Sequence, residues 1–476
     1  MAARNRIGEL KNDFKDAELG DARRTARLVR VVEAIAEDPG SGFPGALGSS
    51  AELEGFYRFV NNEAFEAAAV LAPHRAATLA RAASTQSDVV FIHDTTTVEY
   101  QGESTRTGLG YTTALGRQGF LAHVTLCVEA DGGLPLGVAH IETYTRSGKI
   151  WAQRKRRRSK RHGNEERESA RWLRGVEATQ SAALRGRAIH IMDAEADFFE
   201  LFRKLSDEQA RFVIRAGQLE RLVHDGDDIL HLHETLKGLT PVAYRDVVLS
   251  ERKLNVKSAG ANGRKKHPPR AERVARVAIA ATTIRMGRSG YTNAPGDSCE
   301  INVVSVWEPA PPKNQPPVRW VLFTSEPVKR KVDLERVVDL YRLRWTIEDY
   351  FKALKTGCAL ERRQISSYEA LRKVLAILAP IACQLLWLRG MDRTRSTQPA
   401  RAVFAKSELD VLARAPATQG MPPAKTVSDA ILLLARLGGH IKNNGNPGWM
   451  TLGRGYEKLL LLRLGWDMAL QSIGKM

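Results

Sequence analysis

The stretch Tyr341-Arg-Leu-Arg-Trp-Thr-Ile-Glu-Asp-Tyr-Phe-Lys-Ala-Leu-Lys355 decides how the rest of the chain is read. Tyr341, Arg344, Glu348, Lys352 and Lys355 follow one another at steps of three, four, four and three. At helical periodicity they fall within an arc of roughly 80°, one narrow stripe. Leu340, Leu343, Ile347, Phe351 and Leu354 make a neighbouring apolar stripe able to bury and anchor it. One carboxylate is thereby held among three cations and a phenol, a combination that suits a metal-bound phosphate. The same spacing also fits a solvated amphipathic helix with ion pairs from Arg344 to Glu348 and from Glu348 to Lys352. The stripe therefore needs chemical partners elsewhere.

Two acidic positions supply them. Val89-Val-Phe-Ile92 is a continuous apolar run that reads as a buried strand and passes into His93-Asp94-Thr-Thr-Thr97. Ala188-Ile-His-Ile-Met192 is a second such run, followed by Asp193. Both aspartates stand where an apolar run stops, so both are expected to project from a sheet edge. Adjacent strands lie about 4.8 Å apart, close enough for two carboxylates to share cations. Asp94 can alternatively cap a turn with Thr95 and Thr96, and Asp197 reads as the N-cap of a helix starting at Phe198. With Glu348 the two aspartates form a hard-oxygen set suited to Mg²⁺ or Mn²⁺. Two such ions about 3.5–4 Å apart would serve in-line displacement at phosphorus.

These motifs resemble those of the bacterial cut-and-paste DDE transposases of the insertion-sequence-four group, the group of the Tn-five transposase. Tyr341, Arg344, Glu348 and Lys355 fit its signature Y-x-x-R-x-x-x-E-x-x-x-x-x-x-K, and Asp94-Thr-Thr and Asp193-x-Glu-Ala-Asp197 resemble its two acidic motifs. The segments DARRTARL and GFYRFVNN resemble its end-binding domain, and Ala435-Arg-Leu-Gly-Gly439 a C-terminal portion. The resemblance implies that Asp94, Asp193 and Glu348 are the catalytic, metal-binding carboxylates. It implies that Tyr341, Arg344 and Lys355 hold a 5′ phosphate, with Lys352 on the same DNA-facing stripe. Trp320 would stack on a base flipped from the duplex, and Arg215 would contact DNA. Arg23, Arg24 and Arg27 would meet the element's end. The implied partners are double-stranded DNA, both transposon ends and target, and a second copy of the chain in a DNA-bound homodimer. Without the resemblance, Trp320 reads as core, since Val321, Leu322 and Phe323 follow it.

Composition agrees with a polyanion partner. Seventy-two Lys and Arg against 54 Asp and Glu give a net charge of +18, which favours phosphate backbones through counterion release. An acidic membrane surface would attract the same charge. Arg154-Lys-Arg-Arg-Arg-Ser-Lys-Arg161 concentrates seven cations in eight residues, and Arg264-Lys-Lys266 with Arg270, Arg273 and Arg276 makes a second tract. Cys127, Cys299, Cys358 and Cys383 show no metal-site spacing and read as reduced thiols. The first residues carry no apolar run, so no secretory signal is read there, and with the resemblance a cytoplasmic, nucleoid-associated bacterial protein is expected. Val374 to Leu388, apolar over 15 residues but containing Pro380 and Gln384, reads as a buried helix.

The order of strand and helix signals predicts an α/β protein: an RNase H-like mixed sheet with a β-rich insertion, flanked by helical domains. The expected domains are a helical end-binding domain over 1–75, a catalytic domain over 76–370 with the insertion at about 218–328, and a helical dimerisation domain over 371–476. A polar linker is expected between about 389 and 425. Two other functions fit parts of the pattern: an RNase H-like nuclease that cuts without joining, and a non-catalytic DNA-binding regulator of transposition.

Overall fold

The computed structural model describes residues 10, 12–101, 106–112, 117–146, 168–226, 228–249, 271–287, 298–313, 315–441, 447 and 449–473. They form two compact units, one from Met1–Arg185 with Trp345–Met476 and the other from Gly186–Arg344. The basic tract at 154–161 and residues 264–270 of the second tract lie outside the described residues.

The first unit begins with helices Ala22–Glu37, Ser50–Val60 and Ala67–Ser84. The first two start on side-chain caps: Asp21 accepts from the Arg23 amide at 2.8 Å and Ser49 from the Glu52 amide at 3.2 Å. Strands β1 (Val89–Tyr100), β2 (Gly110–Tyr111), β3 (Gln118–Glu129) and β4 (Pro135–Tyr144) form an antiparallel sheet in which β3 pairs with all three others. The Asp131-Gly-Gly turn joins β3 to β4 with both glycines at positive φ, 91° and 68°. Helix Tyr368–Arg395 contains a stretch apolar enough to cross a membrane, but 83% of that stretch is buried inside the fold. It is the central core helix of this unit. Trp387, Leu388 and Met391 on it pack with Leu412, Ile431, Leu434, Leu452 and Leu459 of the later helices.

The second unit carries β5 (Ala188–Met192) parallel to β6 (Arg211–Arg215), joined through helix Phe199–Asp207. From β6 the pairing turns antiparallel through β12 (Arg319–Thr324), β11 (Ser298–Trp307) and β10 (Arg273–Gly287). Strand β10 also pairs with β9 (Ala243–Leu249) and touches the hairpin of β7 (Leu222–Asp225) and β8 (Asp228–His231). Helix Lys331–Arg342 packs on β6, β9 and β10. The arrangement is a mixed α/β sheet with the antiparallel part between residues 222 and 324.

Three readings of the sequence are corrected. The Tyr341–Lys355 stretch is not one helix. Helix Lys331–Arg342 ends with 3₁₀-type bonds from Leu343 to Leu340 and from Arg344 to Tyr341, each 3.0 Å, and a second helix runs Trp345–Lys352. Residues Ala353–Gly357 then form a π-turn, closed by the Cys358 amide on the Ala353 carbonyl at 2.8 Å. No Gly or Pro lies between Tyr341 and Lys355 to signal either change, so tertiary packing overrides a continuous helical pattern. Residues 389–425 are not a linker either: helix Lys406–Arg414 and buried Val403, Phe404 and Leu412 belong to the core. Strand β1 continues past Asp94 to Tyr100, because residues 94 to 100 keep pairing with β3.

Candidate active site

Asp94 is a mid-strand residue of β1, opposite Val124. It is half-buried, and its carboxylate accepts the Thr95 amide at 2.7 Å. Residues on the two sides of a strand alternate, so His93, Thr95 and Thr97 occupy the face opposite to Asp94. That face is polar, with His93 buried and Thr95 and Thr97 half-buried. Thr125 Oγ1 lies 3.0 Å from His93 Nδ1, and Thr95 Oγ1 lies 3.0 Å from His123 Nδ1, both across the β1–β3 ladder. Helix Ala170–Glu177 covers them. Its Arg171 donates from Nε to Thr95 Oγ1 at 2.8 Å and from Nη1 to the Glu168 carbonyl at 2.5 Å. Trp172 meets His123 edge-on at 4.8 Å, and Gly175 sits so close that a Cβ would lie 2.9 Å from His93 Nδ1. Burial and the neighbouring Arg171 hold His123 well below the usual histidine pKa, so it is neutral.

Glu348 lies in the first turn of helix Trp345–Lys352, half-buried on the element that packs against β1. Ile347, Tyr350 and Phe351 bury the opposite side. The following segment is tied to the strand. Lys355 donates from Nζ to the Thr97 carbonyl at 2.5 Å and pairs with Glu361 at 3.2 Å, while Glu361 accepts the Glu99 amide at 3.3 Å. Lys352 is exposed and pairs with Asp349 at 3.2 Å. The structure thus places the two lysines differently: one anchors the segment to β1, the other faces solvent.

In the second unit Asp193 ends β5 and caps the short turn Ala194–Ala196, accepting the Glu195 amide at 2.9 Å. Asp197 is not a helix cap. Its buried carboxylate accepts the Gly217 and Gln218 amides at 2.7 and 2.9 Å and pairs with Arg221 at 2.6 Å, which fixes the chain after β6. Tyr341 and Arg344 are both buried. Burial pushes the Tyr341 phenol up; Arg344 and Arg215 draw it down, and Asp193 pushes it up again. Asp193, Arg215 and Arg344 therefore all lie within electrostatic reach of Tyr341. Arg215, exposed at the end of β6, stands opposite Leu322 of β12. Trp320, two residues earlier in β12, lies on the same face by the strand's alternation and is half-buried rather than core.

The N-terminal arginines have distinct settings. Arg23 is exposed at the helix start and bonds Asp21, Arg24 donates to the Leu19 carbonyl at 2.8 Å, and Arg27 pairs with Glu52 of the next helix at 3.0 Å. Arg273 and Arg276 of the second basic tract are engaged in the sheet, Arg273 on buried Glu308 and Arg276 over the Tyr244 ring.

Within each unit, among the described residues, no three His, Cys, Asp or Glu side chains gather into a metal-holding group. The donor chemistry nonetheless fits a hard divalent cation. Asp94 and Asp193 each use a carboxylate oxygen on a local backbone amide, a contact that orients the group without neutralising its charge. The residues missed in the sequence are Arg171, His123, Trp172 and Gly175. Only His123 left a signal: with Thr125 it is a polar residue at strand spacing inside an apolar run, whereas Arg171, Trp172 and Gly175 left none.

A mixed α/β fold carries Asp94 and Asp193 on and after its strands and Glu348 on a helix packed against β1. The family follows directly. A Transposase DDE domain model matches residues 85–383 and a Transposase DNA-binding model residues 9–65. The chain belongs to the DDE transposases. It is a metal-dependent polynucleotidyl transferase and endonuclease with DNA as its partner, and enzymes of this family use divalent metal ions.

Proposed function

We propose that the chain is a cut-and-paste transposase of the insertion-sequence-four group, similar to the Tn-five transposase, with an RNase H-like catalytic core. Residues 1–75 bind the element's ends, the β-rich segment at about 218–328 is an insertion in the catalytic domain, and 371–476 make a dimer contact. Asp94, Asp193 and Glu348 hold the metal. Two ions, Mg²⁺ or Mn²⁺, supply charge neutralisation at the scissile phosphate and activation of the attacking oxygen. The observation that carries the reading is that Asp193, Arg215 and Arg344 all act on buried Tyr341 while Glu348 rides on a helix packed against the Asp94 strand.

The residues divide the work. Arg344 presents a planar fork to the 5′ phosphate of the strand that is not transferred, and Tyr341, Lys352 and Lys355 add point contacts. Arg215 and Trp320 meet the unpaired region, where Trp320 stacks on an extruded base. Arg23, Arg24 and Arg27 approach the end sequence. Water first attacks a phosphodiester and frees a 3′ hydroxyl. That hydroxyl attacks the opposite strand to form a hairpin, a second water reopens it, and the hydroxyl finally attacks target DNA. Each step forms one phosphorus–oxygen bond and breaks another, so a single carboxylate set serves all four. Two ends joined to one target require a DNA-bound homodimer, assembled in the cytoplasm on the nucleoid.

The test is incubation of the protein with the inverted repeats that flank its gene, target plasmid and Mg²⁺. Joined products support the transposase, cutting alone would favour a nuclease, and retention without cutting a regulator. Asp94→Ala, Asp193→Ala and Glu348→Ala should each lower cleavage at least about a thousandfold, a loss of roughly 4 kcal/mol of transition-state stabilisation, with end binding kept. Equal loss of binding and cleavage in folded protein would sink the carboxylate assignment.

A further inference from the structure

Beneath Asp94 lies a set of side chains with no part in the reaction as described so far. Thr95 Oγ1 receives the Nε hydrogen of Arg171 at 2.8 Å and lies 3.0 Å from His123 Nδ1. Because Arg171 can only donate, the threonine's own hydrogen is left to go to His123 Nδ1. The chain of bonds therefore has one direction, Arg171 to Thr95 to His123, and it requires neutral histidine. Every member is fixed independently. Arg171 is 6% exposed, is held by the Glu168 carbonyl and lies over the Trp172 and Tyr144 rings at 5.4 and 6.0 Å. His123 is fully buried against Trp172. The Gly175 backbone closes over His93, His123 and Thr125 with no room for a Cβ.

Thr95 is also the residue whose amide orients the Asp94 carboxylate, at 2.7 Å. We propose that Arg171, Thr95 and His123 are positioning residues: they clamp β1 from its buried face and so fix the rotation of Asp94, setting its affinity for the divalent ion. Holding both neighbours from the opposite face, Thr95 by Arg171 and His123 and His93 by Thr125, fixes the β1 backbone here and with it the Thr95 amide that the Asp94 carboxylate accepts. The clamp acts through Thr95 and touches neither DNA nor metal. It rests on the assignment of Asp94 to the metal made above.

The test uses full-length protein bound to end DNA, with Mn²⁺ as the probe and free Mn²⁺ read by electron paramagnetic resonance. Thr95→Val keeps the shape of the side chain but removes the hydroxyl. It should weaken Mn²⁺ binding at least fivefold and slow single-turnover cleavage at least tenfold, with end binding within twofold of the parent. Thr95→Ser restores the hydroxyl and should recover both quantities to within threefold. Arg171→Lys keeps a cation but loses the Nε donor, and should resemble Thr95→Val; it decides the matter if Thr95→Val does not fold. Unchanged Mn²⁺ affinity in folded Thr95→Val or Arg171→Lys overturns the clamp. Asp94→Ala is the control that separates the two claims: if it leaves Mn²⁺ binding intact, the metal assignment itself has failed.

Discussion

Asp94 and Asp193 follow nearly identical sequence signals, an apolar run ending in an acid, and sit in unlike settings. Asp94 lies inside a strand that continues for six more residues, oriented by the next amide and backed by buried histidines, threonines and an arginine. Asp193 lies at a strand end and caps a single turn, and its charge reaches buried Tyr341, as do those of Arg215 and Arg344. One aspartate is positioned by what is buried behind it, the other by the turn it starts. A catalytic carboxylate can be held rigid by either route, and each leaves a different trace on stability.

Each aspartate also has a buried histidine near it in sequence or across the ladder, and the pair sharpens the comparison under acid. Burial lowers His190, three residues before Asp193, to about 4, and holds His123, on the Asp94 side, well below 6.5. The unfolded chain takes up protons below about pH 6.5, whereas folded His190 stays neutral until about 4. The histidine's contribution is therefore complete above pH 6.5 and is lost as pH falls through that window. For His190 the full window corresponds to about 3 kcal/mol. Urea midpoints measured at pH 7 and pH 5 should drop further in the parent than in His190→Gln. Equal drops would show that this histidine is not held neutral.

Trp320 belongs to the Asp193 side, on the face shared with Arg215. Trp320→Ala should spare the first nick and reduce hairpin formation about tenfold or more, since stacking on one base contributes about 1–3 kcal/mol. Unchanged hairpin yield on intact duplex would return Trp320 to a packing role.

The smallest expected effect separates the two carboxylates by stability alone. Asp193→Ala removes the cap of a single short turn and should cost about 0.5–1 kcal/mol, at the low end for such caps. Asp94→Ala removes no cap of a helix and should leave the thermal midpoint unchanged or raised. Equal destabilisation by the two substitutions would contradict the distinction drawn here.

How much of this was legible in the sequence differs between the same two regions. Both apolar runs and the buried helix at Tyr368–Arg395 could be read because burial all round leaves unbroken apolar runs, and the strands of the β-rich segment from alternation, which β9 keeps in its burial. The break after Arg342 could not, since neither Gly nor Pro marks it, and the π-turn at Ala353–Gly357 begins before its one glycine, Gly357, so packing imposes both. Asp197 was assigned to a helix start on local spacing, whereas its partners are amides 20 and 21 residues away. The Arg171 clamp was invisible for the same reason: a buried arginine and a buried histidine in distant segments look like ordinary polar residues until the fold brings them to one threonine. Positions that serve local geometry can be read along the chain, while those that serve another segment emerge only with the tertiary structure.

The central claim is that Asp94, Asp193 and Glu348 hold the same ions. Fe²⁺ bound in place of Mg²⁺ generates hydroxyl radicals with ascorbate and peroxide, and these cut the polypeptide next to the metal. The account predicts backbone cuts clustered around residues 94, 193 and 348, suppressed together by excess Mg²⁺. Cuts confined to one of these segments, or placed elsewhere, would contradict it.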